Sequence, residues 1–461
     1  MHSAHFFDKK RGFSVRPGEV NGKFPLTQPH GIVIIRISDF VRYPQKGFWK
    51  MNNYKSIFRP ADILLPVYSG DPEKMSRWAI IACDQYTSEP AYWNDCVRFI
   101  GGAPSAYDYI LPEAYLGTGF EETHGAEISA NMQAFESSFM RTVRGMIYLE
   151  RTLPDGSIRR GIVGAIDLEA YDYSAGSQSA VRATEATILS RIPPRCKVRA
   201  SAAIELPHIL VLVDDAQMFR TAAAQRDNLT SAYDFKLMGN GGHIRGWEVT
   251  GEALDALMKE IAAYESAHDG LVYAMGDGNH SLAAAKAHWE TVRAETGDMT
   301  HPARFALCEL TALSDESLVF HPIYRILKHC DPADVLAALS AVTEETIDEH
   351  DVQTVTAVTG QQKRVLTFTA PDHALTVGTL QNFLDRYLAG HPDAECDYIH
   401  GEESVERLAE APDCIGFLMD GMDKSELFPY VEAYGTLPRK TFSMGEADSK
   451  RYYLEARKIT K

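Results

Sequence analysis

One short polar run in this sequence has the residue types and the setting for chemistry. Residues 276–281 read Gly-Asp-Gly-Asn-His-Ser, between the apolar residues 271–275 and an alanine-rich stretch. This order predicts a strand, a loop and a helix, in which Gly276 and Gly278 free the backbone for a sharp turn and for close approach of a ligand. The residues after the second glycine then begin the helix, where unpaired N–H groups and the helix dipole favour an anion.

Two side chains of this loop are suited to catalysis. Asp277 could bind a metal ion, take a proton or position a hydroxyl, and His280 can act as an acid or a base near neutral pH. The same sequence is also good turn chemistry, and Asn279 and Ser281 are residue types that cap helices. The residues alone leave both interpretations open, a reactive site and a capped helix.

Other candidate residues lie outside this run. Arg182 and Thr184 could grip a phosphate or a carboxylate, and Glu185 could bind Mg²⁺ or act as a base; capping by Thr184 and dipole stabilisation by Glu185 are the structural alternatives. Arg439 and Lys440 could form an anion clamp beside a turn.

Several other polar residues are weaker candidates. His208 precedes a buried apolar run, and with His243 and His280 it could form a metal site, although their spacing does not require one. Cys83 and Asp84 follow another apolar run, and His400 with the acidic pair after it precedes a helix. Each of these has a structural explanation as well.

The whole chain alternates short apolar runs with amphipathic stretches, which predicts an α+β, or mixed α/β, fold. A hairpin is expected across residues 154–156, Pro-Asp-Gly, because this turn sequence separates two apolar runs. A helix is expected over residues 122–143, and strands over residues 78–83 and 451–455. With 461 residues the chain is long enough for two packed lobes.

We place these lobes at residues 51–250 and 251–461, with the site between them. Residues 1–50 read differently, with basic and aromatic residues but no sustained apolar core. They are expected to be a poorly ordered, non-functional N-terminal extension, with an accessory strand near residues 32–37 as the alternative.

Composition excludes several classes of function. The chain carries 46 basic and 63 acidic residues, a formal charge of −17, so its surface should repel nucleic acid and anionic lipid. Its seven cysteines form no C-x-x-C pair, which argues against a zinc ribbon and favours reduced thiols in the cytoplasm. No apolar run approaches the roughly 20 residues that span a bilayer. A cytoplasmic protein with a small-molecule substrate is expected, and a homo-oligomer is left open.

Neither common nucleotide fingerprint, G-x-G-x-x-G or the P-loop, occurs. The 276–281 loop nevertheless resembles the A-D-G-H-H-R segment of a bacterial and archaeal family catalogued as domain of unknown function 1015. The resemblance extends from about residue 56 to residue 457. It includes Phe58-Arg59-Pro60, Arg182-Ala183-Thr184-Glu185, Asp397-Tyr398-Ile399-His400-Gly401-Glu402 and Leu437-Pro438-Arg439-Lys440-Thr441.

The D-G-H-H-R element is similar in turn to one in the superfamily of ParB, sulfiredoxin and free serine kinase, where a loop at a helix start holds nucleotide phosphates. The resemblance implies a related element around residues 271–292, with phosphate contacts from residues 276–281. Two departures stand out: Asn279 replaces a usual first His, and Ser281 replaces a usual Arg. Losing that Arg removes a bidentate phosphate donor, so either Arg182 or Arg439 replaces it or the ligand is not a nucleotide.

The resemblance implies a small-molecule phosphoryl-transfer enzyme, and specifically a nucleotide-dependent kinase acting on serine or a similar amino or hydroxy acid. The metal and the cofactor stay undetermined, with Mg²⁺ and ATP or ADP as candidates. Two alternatives remain: a phosphatase of a small phosphorylated metabolite such as phosphoserine, and a non-catalytic sensor of a nucleotide or metabolite.

Overall fold

The computed structural model describes residues 54–81, Tyr86, and residues 90–112, 119–345, 353–445 and 447–461. The expectations for residues 1–50 and for Cys83 and Asp84 lie outside these residues.

A large mixed sheet is the centre of the fold. Its strands lie in the order β5-β6-β11-β8-β12-β4-β3-β2-β20-β7. Outside this order, β1 pairs with β4, and β10 pairs with both β3 and β9. Parallel pairing joins β5 to β6, β6 to β11 and β8 to β12. Its strands are β1 (Phe58–Arg59), β2 (Ala61–Pro66), β3 (Met140–Thr152), β4 (Ile158–Asp167), β5 (Tyr171–Asp172), β6 (Val181–Arg182), β7 (Ile204–Glu205), β8 (Leu210–Val213), β9 (Thr230–Lys236), β10 (His243–Val249), β11 (Tyr273–Asp277), β12 (Phe305–Ala312) and β20 (Ala456–Lys458).

A second, smaller sheet is antiparallel throughout its described pairings. Its order is β14-β16-β15-β18-β13-β17, with β19 paired to β13. Its strands are β13 (Phe320–Lys328), β14 (Thr343–Glu345), β15 (Thr354–Thr359), β16 (Gln362–Phe368), β17 (Glu395–His400), β18 (Ile415–Leu418) and β19 (Phe442–Met444).

Helices cover both sheets. Trp78, Trp93 and Met132 belong to a core on one part of the large sheet, while Phe219 and Trp289 belong to a separate core on that sheet. The described helices are α1 (Pro72–Trp78), α2 (Pro90–Ile100), α3 (Phe120–Phe139), α4 (Ile192–Ser201), α5 (Gln217–Gln225), α6 (Gly251–Ser266), α7 (Asn279–Thr296), α8 (Pro332–Ser340), α9 (Thr376–Gly390), α10 (Glu402–Leu408) and α11 (Leu427–Tyr434). None of them is both long and apolar enough to cross a membrane.

The mixed α/β class is confirmed, and so is the hairpin across residues 154–156. Strands β3 and β4 pair from Thr152 and Ile158 outward, and Gly156 turns the chain with φ 87°. The Asp155 carboxylate accepts the backbone N–H of Ser157 at 2.9 Å, which is the expected role of Asp in such a turn.

Three sequence predictions were wrong in part. The helix expected over residues 122–143 ends at Phe139, because the next residues pair with β2 and begin β3. Trp78 ends a helix that is capped by Asp71 rather than opening a strand. Residues 451–455 form no regular strand, because the side chains at both ends bind buried partners, and only Tyr453 makes a bridge, to Ile80.

Strands from both sides of residue 250 share the large sheet, and the small sheet begins at Phe320. An apolar cluster joins the sheets, with Leu212 and Ala274 of the large sheet packed against Val431 of α11 and Met444 of β19. The division of the chain into lobes at residue 250 therefore stays a prediction.

Buried ion pairs attach the C-terminal residues to the large sheet. Arg451 donates from Nε to Glu309 at 2.9 Å and from Nη2 to Glu455 at 2.6 Å, and Arg159 lies 3.2 Å from the other oxygen of Glu309. Tyr233 donates to Glu455 at 2.6 Å. All five side chains are buried, so each charge depends on its partners for the interactions that water would otherwise supply.

We expect Glu309→Ala to lower the free energy of unfolding by about 3–5 kcal/mol, because it leaves two buried guanidinium groups without their shared carboxylate. Chemical denaturation measures this loss. The matched control is Glu73→Ala, which breaks the exposed pair with Arg77 and should cost less than about 1 kcal/mol. Equal losses in the two variants would show that the buried pairs do not hold the sheet.

Candidate functional site

The 276–281 loop leaves the large sheet at the end of β11. The register between β11 and β8 shifts at Gly276, where a Cβ atom would lie 3.0 Å from Met444 Cε and 3.2 Å from the carbonyl oxygen of Leu210. Gly278 has φ 78°, and a Cβ there would lie 3.2 Å from Ile209. A side chain at Gly276 would be tightly packed, and one at Gly278 would be both tightly packed and strained by the positive φ.

Helix α7 begins without a capping side chain. Gly278 is its N-cap, and neither Asn279 nor Ser281 serves as one, since both lie inside the first turn. Asn279 is 9% exposed, and its Oδ1 has no hydrogen-bond partner among the described residues. The first turn contains no acidic residue, so no side chain of the helix opposes the positive end of its dipole. The capped-helix alternative thus does not account for this loop.

Asp277 is the carboxylate of the loop, and a lysine distant in sequence faces it. Lys450 Nζ lies 3.5 Å from Asp277 Oδ2, with side-chain exposures of 14% and 27%. Asp277 Oδ1 accepts the backbone N–H of Gly278 at 2.7 Å. Burial alone would raise the pKa of Asp277, but Lys450, His208 and the N–H of Gly278 together hold this pKa below its ordinary value. Asp277 is therefore ionised at neutral pH.

His208 joins this group from the loop before β8. Its ring makes an edge contact with Tyr453, with centroids 5.1 Å apart, and the next residue, Ile209, packs against Gly278. The charge of a protonated His208 contributes to the lowering of the Asp277 pKa. His208 thus borders the loop, whereas His243 contacts Asp234 at 2.6 Å on the surface, so the structure does not bring the three histidines of the predicted metal site together.

The segment that follows β6 runs past the loop. Thr184 donates from Oγ1 to the carbonyl oxygen of Met275 at 2.7 Å, and the backbone N–H of Ile188 donates to His280 Nε2 at 3.1 Å. Glu185 lies between these two contacts and is exposed. His280 accordingly holds the neighbouring segment in place, with Nε2 as an acceptor.

The guanidinium of Arg182 lies toward the opposite end of β11. Arg182 is paired with Ala274, and its Nη2 is 4.0 Å from where a Cβ on Gly270 would be, before the strand begins. Its Nε donates to the carbonyl oxygen of Ser179 at 2.8 Å, and Nη1 has no partner among the described residues. This orientation does not supply the phosphate donor that the loop lacks.

Arg439 and Lys440 lie against the small sheet. Arg439 forms an ion pair with Asp385 of α9 and lies 5.9 Å from the ring of Tyr398. The carbonyl oxygens of both residues accept hydrogen bonds from the buried Arg325, at 2.7 and 2.9 Å, which fixes Lys440 at φ 55°. Their backbone is a structural link of the small sheet, and the charge of Arg439 is already balanced.

A cavity of about 160 Å³ opens beside the start of α7. Ser281 and His208 line it, together with Arg195, Arg199 and Tyr453. Sequence reasoning missed these last three, and it missed Lys450. These four residues are separated from the loop by roughly 80 to 170 residues and belong to no recognisable motif. The adjacent cations Lys450 and Arg451 are the one feature of the sequence that could have indicated an anion-binding residue there.

The described residues of this site fit Mg²⁺ as an ion that a nucleotide brings with it. Among the described residues no group of three or more His, Cys, Asp or Glu side chains is placed to hold a metal ion. Mg²⁺ commonly binds through one or two carboxylates plus substrate phosphates and water. Asp277 or Glu185 would be the carboxylate here, and the other would be left to accept a proton.

The two ends of α7 allow a matched test of Gly278. Gly278→Ala and Gly297→Ala both place alanine at positive φ, which costs roughly 1–2 kcal/mol. Only the first also brings a Cβ against Ile209, since Gly297 has open space. We expect a larger loss of unfolding free energy for Gly278→Ala by chemical denaturation. Equal losses would mean that the loop backbone moves freely away from β8.

Removing the lysine should reverse the pKa shift of Asp277. In Lys450→Met, burial becomes the dominant influence and the pKa should rise above the ordinary value of about 3.9. In the wild type the carboxylate contributes stability that is fully present above this value and is lost as the pH falls through the lower folded-state pKa. NMR titration of the carboxyl carbon measures the shift, with Lys74→Met as an exposed control. An unchanged pKa in Lys450→Met would exclude the lysine as its cause.

Comparison with known proteins gives several weakly similar structures and one family. Solved structures that resemble this chain include a conserved hypothetical protein from Pyrococcus furiosus, 12% identical over 63% of this chain and 93% of that one, with a TM-score of 0.33. They also include free serine kinase in complex with AMP, 11% identical over 64% and 90%, with a TM-score of 0.35. SbnI with a C-terminal truncation, from Staphylococcus aureus, is 8% identical over 61% and 82%, with a TM-score of 0.34.

At these levels of overlap the activity has to be argued from the site itself. No curated protein matches the chain. A family model described as protein of unknown function, DUF1015, matches residues 64–387. Because this match covers more than half of the chain, the protein belongs to the DUF1015 family.

Proposed function

We propose that this protein is a small-molecule phosphoryl-transfer enzyme, a nucleotide-dependent kinase acting on serine or a similar small amino or hydroxy acid. The observation that carries the proposal is the group at the start of α7. An ionised, half-buried carboxylate, Asp277, lies there beside a lysine, a histidine and a helix start that has no capping side chain.

Each part of this group matches a need of phosphoryl transfer, in which catalysis is mostly positioning and charge stabilisation. The N–H groups of the first turn of α7 and the ammonium of Lys450 would bind phosphate oxygens. Asp277 would accept the proton of the acceptor hydroxyl. The acceptor oxygen forms the new P–O bond, the terminal bridging P–O bond of the nucleotide breaks, and the leaving nucleotide, ADP from ATP or AMP from ADP, keeps the electron pair of that bond.

The remaining candidates have supporting roles in this proposal. His280 positions the segment that carries Glu185, and Glu185 is a second candidate for the proton acceptor. Mg²⁺, when bound with the nucleotide, would neutralise charge on the phosphates. Ser281 and His208 border both the loop and the cavity beside it, so they would contact the acceptor.

A non-catalytic nucleotide sensor is the second candidate, and one observation favours it. The guanidinium of Arg182 lies toward the far end of β11, and that of Arg439 is paired with Asp385. Neither is placed as a bidentate donor to stabilise the transferring phosphoryl group, although such a donor is less necessary for binding alone.

Thermal shift and phosphoryl-transfer assays test the proposal together. We expect ATP or ADP with Mg²⁺ to raise Tm by several degrees, as binding to the folded state requires, and [γ-³²P]ATP or [β-³²P]ADP to label a small amino or hydroxy acid. Asp277→Asn should reduce transfer by about 10²- to 10⁴-fold, the range expected for loss of a general base. The control Asp234→Asn changes an exposed carboxylate that binds His243 and should keep full activity.

The outcomes separate the candidate functions. Stabilisation by nucleotide without transfer to any acceptor would identify a sensor. Stabilisation by phosphoserine alone, with release of phosphate, would identify a phosphatase. Absence of any response to nucleotides would contradict the kinase.

A further inference from the structure

One buried arginine holds the turn that carries Lys450. Arg151 belongs to β3 and is 1% exposed. Its Nη1 donates to the carbonyl oxygens of Ser449 and Lys450 at 3.0 and 2.7 Å, and its Nη2 donates to that of Asp448. Its Nε donates to the carbonyl oxygen of Gly241 at 2.9 Å. Three successive carbonyl groups of one turn therefore converge on a single guanidinium.

This turn has a geometry that a cation stabilises. Residues Ala447–Ser449 form one turn of 3₁₀ helix, which the backbone N–H of Lys450 closes by donating to the carbonyl oxygen of Ala447 at 3.2 Å. The last carbonyl groups of a helical turn have no partner within it, and their partial negative charge favours a cation. A planar guanidinium can bind several of them at once, whereas an ammonium donates from a single point.

Burying this cation is costly. Among the described residues, Arg151 forms hydrogen bonds with backbone carbonyl oxygens only, and its Cζ lies 5.0 Å from the ring centroid of Tyr452. Burial and the nearby Arg159 lower the pKa of the Arg151 guanidinium. An apolar side chain at this position of β3 would avoid that cost, but it would take a buried donor away from the carbonyl groups of the turn. The buried charge is therefore explained by the need to hold the turn in one place.

The position of the turn decides where the ammonium of Lys450 can reach. A lysine side chain is flexible, and holding it in one conformation costs side-chain entropy. The backbone around Lys450 is fixed from both sides, by Arg151 at its carbonyl oxygen and by the ion pair between Arg451 and Glu309. From this fixed backbone Nζ lies 3.5 Å from Asp277 Oδ2.

We propose that Arg151 is a positioning residue of the candidate site. By holding the carbonyl oxygens of residues 448–450, it directs the ammonium of Lys450 at Asp277. The proposal rests on the proposed function only in making phosphate oxygens the ligand of that ammonium. The placement of Lys450 beside Asp277 does not require a kinase.

Arg151→Lys tests the proposal, because it keeps the positive charge and removes the planar fork. We expect the pKa of Asp277 to rise toward its value in Lys450→Met, since the ammonium is no longer held beside the carboxylate and burial then raises that pKa. NMR titration of the carboxyl carbon measures the change. An unchanged pKa of Asp277 in Arg151→Lys would contradict the proposal.

The small sheet offers a matched control. Arg325 is also fully buried and also binds two successive carbonyl oxygens, those of residues 439 and 440. Arg325→Lys should therefore destabilise the fold in a similar way and leave the pKa of Asp277 unchanged. An equal rise of this pKa in Arg325→Lys would show a general effect of destabilisation and would remove the case for Arg151.

A double variant separates positioning from a direct effect on the carboxylate. In the Lys450→Met background, Arg151→Lys should leave the pKa of Asp277 where Lys450→Met alone puts it, because Arg151 acts through Lys450. A further rise in the double variant would mean that Arg151 acts by another route, against the proposal.

Hydrogen exchange in the wild type tests the contact without any substitution. The backbone N–H of Lys450 closes the turn, and the Nη1 N–H groups of Arg151 bind its carbonyl oxygens. If the guanidinium holds the turn, the two open together, so their protection factors in mild denaturant should agree within about tenfold. Greater protection of Arg151 than this would show that the turn opens by itself.

Nucleotide affinity tests the part that rests on the proposed function. By isothermal titration calorimetry, ADP with Mg²⁺ should bind Arg151→Lys about tenfold or more weakly than the wild type, because a positioned charge–phosphate hydrogen bond is lost. If the pKa of Asp277 shifts as expected but no nucleotide binds the wild type, the positioning of Lys450 stands and the proposed function fails. If nucleotide binds the wild type but the pKa of Asp277 is unchanged in Arg151→Lys, the positioning fails and the proposed function stands.

Discussion

The pairing of buried carboxylates with arginines of the C-terminal residues is the interaction on which this structure depends. Glu309 and Glu205 are buried residues of β12 and β7 in the large sheet, and an isolated charge at either position would be very costly. Arg451 and Arg457 neutralise these two carboxylates. The same ion pairs hold the backbone of residues 450–457 in place. Lys450 reaches Asp277 because its neighbour in sequence is anchored in this way. The candidate site is thus a consequence of how the sheet balances its internal charges.

Much of the local structure could be predicted from sequence, because its causes are local. The apolar run 271–275, the glycines after it and the alanine-rich stretch specify the strand, loop and helix, and the Pro-Asp-Gly turn specifies the β3–β4 hairpin. The helix expected to continue to residue 143 failed for a non-local reason. Pairing with β2 decides the conformation of residues 140–143, and that strand lies more than 70 residues earlier.

Some residues of the candidate site also have a local sequence signal, whereas others are placed there only by the fold. Asp277 and His208 could be identified from their positions at strand ends, and Thr184 from its motif, while the direction of the Arg182 side chain could not. A residue pattern shows which groups are near in sequence, but charge balance in the folded state decides where a long side chain goes. Arg439 illustrates this, since Asp385 of another helix holds its guanidinium. Lys450 and Arg199 become visible only when the fold brings them to the loop.

The ion pairs also determine which parts of the chain can complete folding while the protein is being synthesised. Glu309 is made 142 residues before Arg451, and Glu205 is made 252 residues before Arg457. While the chain emerges from the ribosome, each carboxylate has only its earlier arginine, Arg159 for Glu309 and Arg199 for Glu205, and lacks the partner that the C-terminal residues supply. Contacts of such long separation slow folding and leave strand edges exposed. The nascent protein therefore acquires its settled sheet and its complete site in the same late step, when the residues from Lys450 onward dock.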